Sequence, residues 1–310
     1  MPNHLSEVWP ALERVAREEG VLHLGASDLA DDHAALFADW IDRGHHASMA
    51  YLAKNAAIRA NPAERYPWAK SVLSILVPYS PDRPPAPEGA LSHHIARYAL
   101  GDDYHDVLDR ILRRFEETLA DVKTWRYVDT GPLSDRSYAA QSGLGWIGKN
   151  GMLIHEEHGS YFFIGTLLTA LTNDVDSATV ADRCGACTRC LDACPTNAIL
   201  PNRTLDSARC ISYATIEHRG PLDVPVAGHA FGCDICQEVC PWNQTPAATH
   251  RAFVPRDEYR ATPVTDLLRF TQAEFSTLFR KSAVKRAKLT GMLRNVEALT
   301  GGDDRGMLKE

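Results

Sequence analysis

Apolar residues recur along this chain at two spacings, and the changes of spacing mark its elements. Val8, Leu12 and Val15 form one helical stripe, Leu22–Ser27 reads as a short strand, and Leu29–Arg43 reads as a helix closed by Gly44. Ser71–Pro78 is the clearest strand, mostly apolar and followed by Ser80–Gly89, whose four prolines predict turns. Tyr104–Leu119 is the clearest helix. Its Tyr104, Val107, Leu108, Ile111, Leu112, Phe115 and Leu119 repeat at three and four residues, with charged residues on the other faces. Trp125–Val128 predicts a strand and Asp135–Ser142 a short helix. Met152–His155 and Tyr161–Leu168 predict strands, paired as a hairpin around the Glu157–Gly159 turn. Pro263–Phe279 and Lys281–Leu299 read as helices, and the last ten residues as a frayed tail.

Helices alternating with strands predict an α/β domain over residues 1–178. A smaller cysteine-bearing domain follows at 179–246, and a short helical segment at 247–310. Hydrophobic residues make up 45% of the chain, enough for a sizeable core. Val72–Val77 and Tyr161–Leu171 are too short or too polar to span a bilayer. Met1–Glu13 lacks a positive segment followed by an apolar run, so the expectation is a soluble, cytoplasmic, monomeric protein with no membrane partner. Forty acidic residues against 33 basic ones give a net charge of −7. That balance argues against wrapping long DNA by bulk charge, but allows a local basic footprint for a folded RNA.

All eight cysteines lie between Cys184 and Cys240. Structural disulfides are unusual in the cytosol, and scattered buried cysteines would not cluster this way. The first run is Cys184, Cys187, Cys190 and Cys194 followed by Pro195. The second is Cys233, Cys236 and Cys240 followed by Pro241, with Cys210 well ahead of it. Three thiolates at two-residue spacing meet three corners of a [4Fe–4S] cube, and in the bacterial ferredoxin arrangement the fourth cysteine of a run serves the other cluster. Applied here, one cluster takes Cys184, Cys187, Cys190 and Cys240, and the other takes Cys194, Cys210, Cys233 and Cys236. Structural zinc also uses four thiolates, but the double run with both prolines is far more specific than an isolated pair of cysteines. Ile211–Gly232 must then form an excursion that returns to the cluster. A two-cluster relay needs an acceptor, and the large N-terminal domain is where one is expected.

At this point the sequence resembles the epoxyqueuosine reductase family, cobalamin-dependent iron–sulfur enzymes of queuosine-tRNA synthesis. The resemblance runs from GHHASMAYL (Gly44–Leu52) and ARYALGDDYH (Ala96–His105) through DTGPLSDRSYAAQSGLGWIGKNG (Asp129–Gly151) and GSYFFIGTLLT (Gly159–Thr169) to Arg294–Asn295. It implies an α/β cobalamin-binding domain, a ferredoxin-like domain with two [4Fe–4S] clusters, and a short C-terminal helical segment. It also implies that electrons from an external donor pass through the clusters to cobalamin. They would then reduce epoxyqueuosine to queuosine at the wobble position of a tRNA. A cobalamin-dependent small-molecule reductase or reductive dehalogenase is the alternative within the same chemistry. An electron-transfer protein without substrate chemistry is the alternative outside it.

The resemblance places a catalytic acid at Asp135, since removing an epoxide oxygen requires a proton donor. The same residue suits the first turn of a helix, where backbone amides favour the carboxylate. An acid near neutral pH needs burial to overcome that preference. Gly143, Gly145, Gly148, Lys149 and Asn150 are expected to wrap a cofactor tail, although the run matches no nucleotide-binding fingerprint. By the same resemblance Met49, Tyr51, Arg97, Tyr98 and His105 line the pocket. No Asp-x-His-x-x-Gly stretch offers an axial histidine, which is compatible with a cobalamin lacking one. Lys281, Lys285, Arg286, Lys288 and Arg294 fall in a run without acidic residues and are the expected tRNA contacts. Ordinary solvation of a helix face is the competing explanation of such a run.

Overall fold

The computed structural model describes residues 2–79, 82–83, 85–244 and 247–301. The tail beyond Gly301, and Ser80, Pro81 and Pro84 of the proline-rich turn, lie outside the described residues. The first part runs α1 (Trp9–Glu18), β1 (His23–Asp28), α2 (Ala34–Asp42), α3 (Ala50–Lys54), α4 (Ala56–Ala60), α5 (Pro62–Arg65) and β2 (Ser71–Pro78). It continues with α6 (Tyr104–Thr118), β3 (Thr124–Tyr127), α7 (Asp135–Gln141), β4 (Trp146–Ile147), β5 (Leu153–Ile154) and β6 (Phe162–Thr169).

The mixed α/β architecture forms as expected, and all of its strand pairings are antiparallel. The main sheet has the order β1-β2-β6-β3. Its two central strands, β2 and β6, are the two longest apolar runs, so both of their faces need cover. Leu73, Ile75 and Val77 of β2 join Phe163 and Leu167 of β6 against α1 and α6. Residues of the other parity, Val72 and Leu76 with Phe162 and Leu168, pack beneath Tyr138 and Ala139 of α7. Alternation along β6 therefore sends Thr166 to the α7 face. Close approach of α7 to β1 requires Gly25, where an added Cβ would stand 2.6 Å from the Ser142 carbonyl oxygen.

Four expectations need correction. The helix expected over Pro263–Phe279 breaks into a 3-10 turn at Val264–Arg269 and a helix at Gln272–Leu278. The hairpin around Glu157–Gly159 shrinks to a single bridge between His155 and Gly159, because β5 pairs with β4 while β6 is drawn between β2 and β3. The helix expected from Leu29 starts at Ala34, since the Asp31 carboxylate accepts the His33 amide in a local turn. The basic stretch after Arg280 is not one helix. Lys281 and Lys288 take left-handed φ values of 53° and 61°, splitting it into a 3-10 turn and a later helix.

The cysteine-bearing part contributes α8 (Arg189–Ala193), α9 (Ile211–Ile216) and α10 (Ile235–Glu238), and the end of the chain α11 (Asp257–Ala261), α12 (Gln272–Leu278) and α13 (Lys288–Gly301). A second core crosses the expected domain boundaries. Leu91, Ile95 and Leu100 pack with Ala230 and Phe231 and with Tyr259, Phe275, Phe279, Met292 and Val296. Among the described residues, no helix is long and apolar enough to cross a membrane.

The Arg294–Asn295 pair fastens α13 to the excursion after Cys210. Asn295 is fully buried and donates to the carbonyls of Thr215 at 2.8 Å and Ala230 at 2.7 Å. Asn295→Ala should lower the thermal midpoint of the cluster-loaded protein, since each orphaned buried acceptor costs roughly 1–3 kcal/mol. A midpoint equal to wild type would contradict this role.

Candidate active site

Asp135 opens α7 above the centre of the sheet. The Thr166 hydroxyl donates to its Oδ1 at 2.7 Å, and the Asp129 backbone amide also bonds its carboxyl. Asp129 itself takes a left-handed φ of 56°, which Asp tolerates better than most residues. Both hydrogen bonds and the nearby Arg59 favour the carboxylate, yet burial outweighs them. Together with the neighbouring Asp129 charge, it pushes the Asp135 pKa up to about 6. In the opposition expected between helix terminus and burial, burial is thus the larger effect.

Asp135 and Arg136 stand in a recess. Solvent touches Asp135 and reaches Arg136 freely. Even so, the surrounding protein is dense enough that burial dominates both groups, lowering the Arg136 pKa as it raises that of Asp135. Only a concave surface reconciles accessibility with desolvation. Arg136 donates to the Gly151 carbonyl, and Arg59 to the carbonyls of Leu133 and Gly131.

One wall of the recess is formed by α2 to α4, helices with no fully buried residue despite the apolar character of α2. The Arg59 guanidinium lies 5.3 Å from the Phe37 ring, and Phe37, Trp40 and His46 follow in ring contact. Enclosed polar atoms here lack protein partners: Asp31 Oδ2, His46 Nδ1 and Arg59 Nε. Buried polar atoms are ordinarily paired, so water or a ligand is left to satisfy these three.

The eight thiols are all free and fall into two neighbouring sets. Burial raises the Cys190 pKa, with further increments from Cys184, Cys240 and Cys187. Burial likewise raises those of Cys233 and Cys236, which feel Cys210 and Cys194. Cys236 also feels Cys190, so the sets adjoin. Residues flanking Cys184 and Cys187 are exposed, whereas Asp234, between Cys233 and Cys236, is 1% exposed and paired with Arg83 and Arg97, each at 3.2 Å.

The glycine-rich run makes close approaches within the protein. A Cβ at Gly143 would meet the Ala178 carbonyl, one at Gly145 the Ile154 carbonyl, and one at Gly148 the Ile154 side chain. Lys149 Nζ donates to the carbonyls of Gly185 at 2.7 Å and Cys187 at 2.8 Å, and buried Asn150 donates to that of Cys236 at 3.3 Å. These contacts dock both cysteine loops on the α/β unit. Arg97 does similar work, bonding Asp234 and Glu238, while Tyr98 packs among Tyr104, Phe163 and Phe231. Met49 caps α3, and His105 bonds Asp103 at 2.8 Å.

The basic run divides. Arg294 is committed to the carbonyls of Ala214, His218 and Gly220, and Arg286 is paired bidentately with Glu217. Lys281, Lys285 and Lys288 are exposed. Arg286 also lies 5.9 Å from the ring of Tyr51, an exposed aromatic close enough to Asp129 to feel its charge. Sequence reasoning missed Arg59 and Thr166. The only hint of Thr166 was a lone internal hydroxyl within an otherwise apolar strand, and a solvated arginine looks the same as Arg59 in sequence.

Comparison with known proteins gives a consistent result. Residues 59–130 match the family described as "Epoxyqueuosine reductase QueG, DUF1730", and residues 183–243 match a 4Fe-4S double cluster binding domain. The chain is 39% identical to the epoxyqueuosine reductase of Leadbetterella byssophila, over 88% of this chain and 91% of that one. Identity to the Escherichia coli enzyme is 33%, over 97% and 82%. An epoxyqueuosine reductase solved with an epoxyqueuosine-modified tRNA-Tyr stem loop superposes with a TM-score of 0.84 at 30% identity, over 95% of this chain and 81% of that one. The Bacillus subtilis enzyme, solved with its catalytic aspartate loop swung out of the active site, gives 0.84 at 28%, with the same coverage.

Burial of Asp135 has a cost that depends on pH. Its pKa rises from 3.8 to about 6 on folding, so the unfolded chain loses this proton first and stability falls as pH rises between those values. Asp135→Asn should therefore be more stable than wild type at pH 8 by about 1–3 kcal/mol, with the difference vanishing near pH 4. Denaturation midpoints across pH measure this; a variant less stable at pH 8 would contradict it.

Proposed function

This chain belongs to the epoxyqueuosine reductase family, and on that premise we propose that Asp135 is the proton donor as it reduces epoxyqueuosine to queuosine in tRNA. The observation that carries the assignment is the carboxyl pKa of about 6 on the floor of a recess. The net reaction takes two electrons and two protons, breaks both epoxide C–O bonds, forms the ring alkene and releases the oxygen as water. An epoxide oxygen leaves poorly as an alkoxide, so a positioned acid is where this chain lowers the barrier. Thr166 orients the carboxyl, and Arg59 holds the Gly131–Leu133 carbonyls that precede it.

The recess fits a large group with apolar faces and polar edges. Phe37, Trp40 and Met49 would supply apolar contacts, and the unpaired atoms of Asp31, His46 and Arg59 polar ones. Cobalamin, when bound there, supplies two-electron reduction at carbon, and [4Fe–4S] clusters supply its electrons one at a time. Cys184, Cys187, Cys190 and Cys240 would hold one cluster and Cys194, Cys210, Cys233 and Cys236 the other. An external donor would address the exposed Cys184–Cys187 loop, while Arg83 and Arg97, paired with Asp234 and Glu238, would fix the loop around the buried cluster.

Lys281, Lys285 and Lys288 form the footprint that this reading assigns to tRNA phosphates, with Tyr51 as a stacking surface at the mouth. Arg294 is left out because its donors are spent on carbonyls. A tRNA substrate also places the protein in the cytoplasm.

The test is anaerobic turnover of epoxyqueuosine-containing tRNA by the cluster-loaded, cobalamin-supplemented protein, read as loss of one oxygen in the modified nucleoside. Asp135→Asn should slow it roughly 10²–10⁴-fold with unchanged cluster and corrin spectra. Lys285→Ala should weaken tRNA binding and reduce its salt dependence by about one phosphate contact. No turnover beside an active control enzyme would refute the function, and full activity of Asp135→Asn would refute the role of that residue.

A further inference from the structure

We propose that His23, His155 and His158 form a binding site for a divalent transition-metal cation of the zinc class, separate from the cysteine clusters. His23 begins β1, and the other two flank the Glu156–Glu157 turn between β5 and β6. One ring nitrogen from each lies within 4.8 Å of the others. His23 and His155 stack with centroids 4.1 Å apart, His155 and His158 are 5.0 Å apart, and His23 and His158 5.4 Å.

Two further observations separate this trio from ordinary packing of imidazoles. His23 Nε2 is enclosed and has no hydrogen-bond partner. A buried polar atom is ordinarily paired, and an unpaired imidazole nitrogen beside two other imidazoles is a candidate metal ligand. Burial also pushes the pKa values of His23 and His155 down to about 4, so both rings are neutral at physiological pH, the form that binds metal.

The donor set selects the cation. Three imidazole nitrogens suit zinc and its borderline neighbours, whereas calcium and magnesium require oxygen ligands. Tetrahedral zinc at about 2.0–2.1 Å from nitrogen sets donors about 3.3 Å apart, so no pair needs to close by more than roughly 1.5 Å. His155 Nδ1 accepts the Glu157 amide at 3.2 Å, which leaves the ring proton on Nε2. Metal binding at Nε2 moves that proton to Nδ1 and gives up this long hydrogen bond; no proton is released.

The location gives the cation a structural role. Gly159, at φ 66°, lies so close to Trp242 and Asn243 that a Cβ would clash with both, and the Ser160 amide donates to Asn243 Oδ1 at 2.7 Å. Asn243 follows Cys240 by three residues, and its amide donates to the Cys240 carbonyl at 3.1 Å. A metal at the histidines would lock β1 to the turn that braces this segment.

The test uses the full chain with its clusters loaded, so that the cysteines are occupied, dialysed against zinc chloride and then against buffer. We expect one zinc retained per chain, with an absorption-edge first shell of nitrogen or oxygen at about 2.0–2.1 Å and no sulfur at about 2.3 Å. His158→Gln, at the rim of the turn, and His23→Gln should each weaken zinc binding by at least the 10- to 100-fold lost when a mere orienting group is removed. Unchanged iron content and circular dichroism would show that these variants fold. A sulfur shell, no retained zinc, or equal retention by both variants would overturn the site.

Discussion

Asp135 occupies a position where two electrostatic demands conflict. The first turn of a helix, a hydroxyl from Thr166, a backbone amide from Asp129 and the Arg59 cation all favour a carboxylate. Desolvation opposes them and wins, raising the carboxyl pKa to about 6. That outcome needs dense protein around a carboxyl that solvent still touches. Much of the surrounding architecture serves that geometry. The parity of β6 delivers Thr166 to the α7 face, and Gly25 lets α7 settle on β1. The thinly packed α2–α4 wall encloses the space without filling it.

The same face of the sheet leads into the cysteine loops. Gly143–Gly151 follows α7 directly, so one continuous segment carries the acid and then Lys149 and Asn150, which grip both loops through backbone carbonyls. Arg97 adds an ion pair to Asp234 from the other side. Arg294 and Asn295 close the assembly by holding the excursion after Cys210. The cysteine loops and Asp135 are therefore positioned by shared elements.

Local pattern revealed the elements whose environment is symmetric or strongly periodic. Ser71–Pro78 and Tyr104–Thr118 emerge almost residue for residue, one as a mostly apolar run and the other as an amphipathic stripe. The strand partner of β6 did not, because an apolar strand states that it is buried but not beside what. Gly143–Gly151 announced close backbone approach without naming the approaching chain, and a cofactor was as good a guess as Ala178 or Ile154. Arg286 and Arg294 looked like surface charge because their partners, Glu217 and three carbonyls, lie far away in sequence. The pKa of Asp135 was illegible for the same reason: sequence shows the helix start, and only the fold shows the desolvation.

The most direct test of this account is the pH dependence of single-turnover epoxide reduction by the fully loaded enzyme, compared with that of Thr166→Val. An acid that must carry its proton gives a rate that is level below about pH 6 and falls about tenfold per unit above it. Removing the Thr166 hydroxyl, which stabilises the carboxylate, should move that break to higher pH. A rate that climbs through this range, or a break that Thr166→Val leaves in place, would contradict the claim that desolvation of Asp135 makes it the acid.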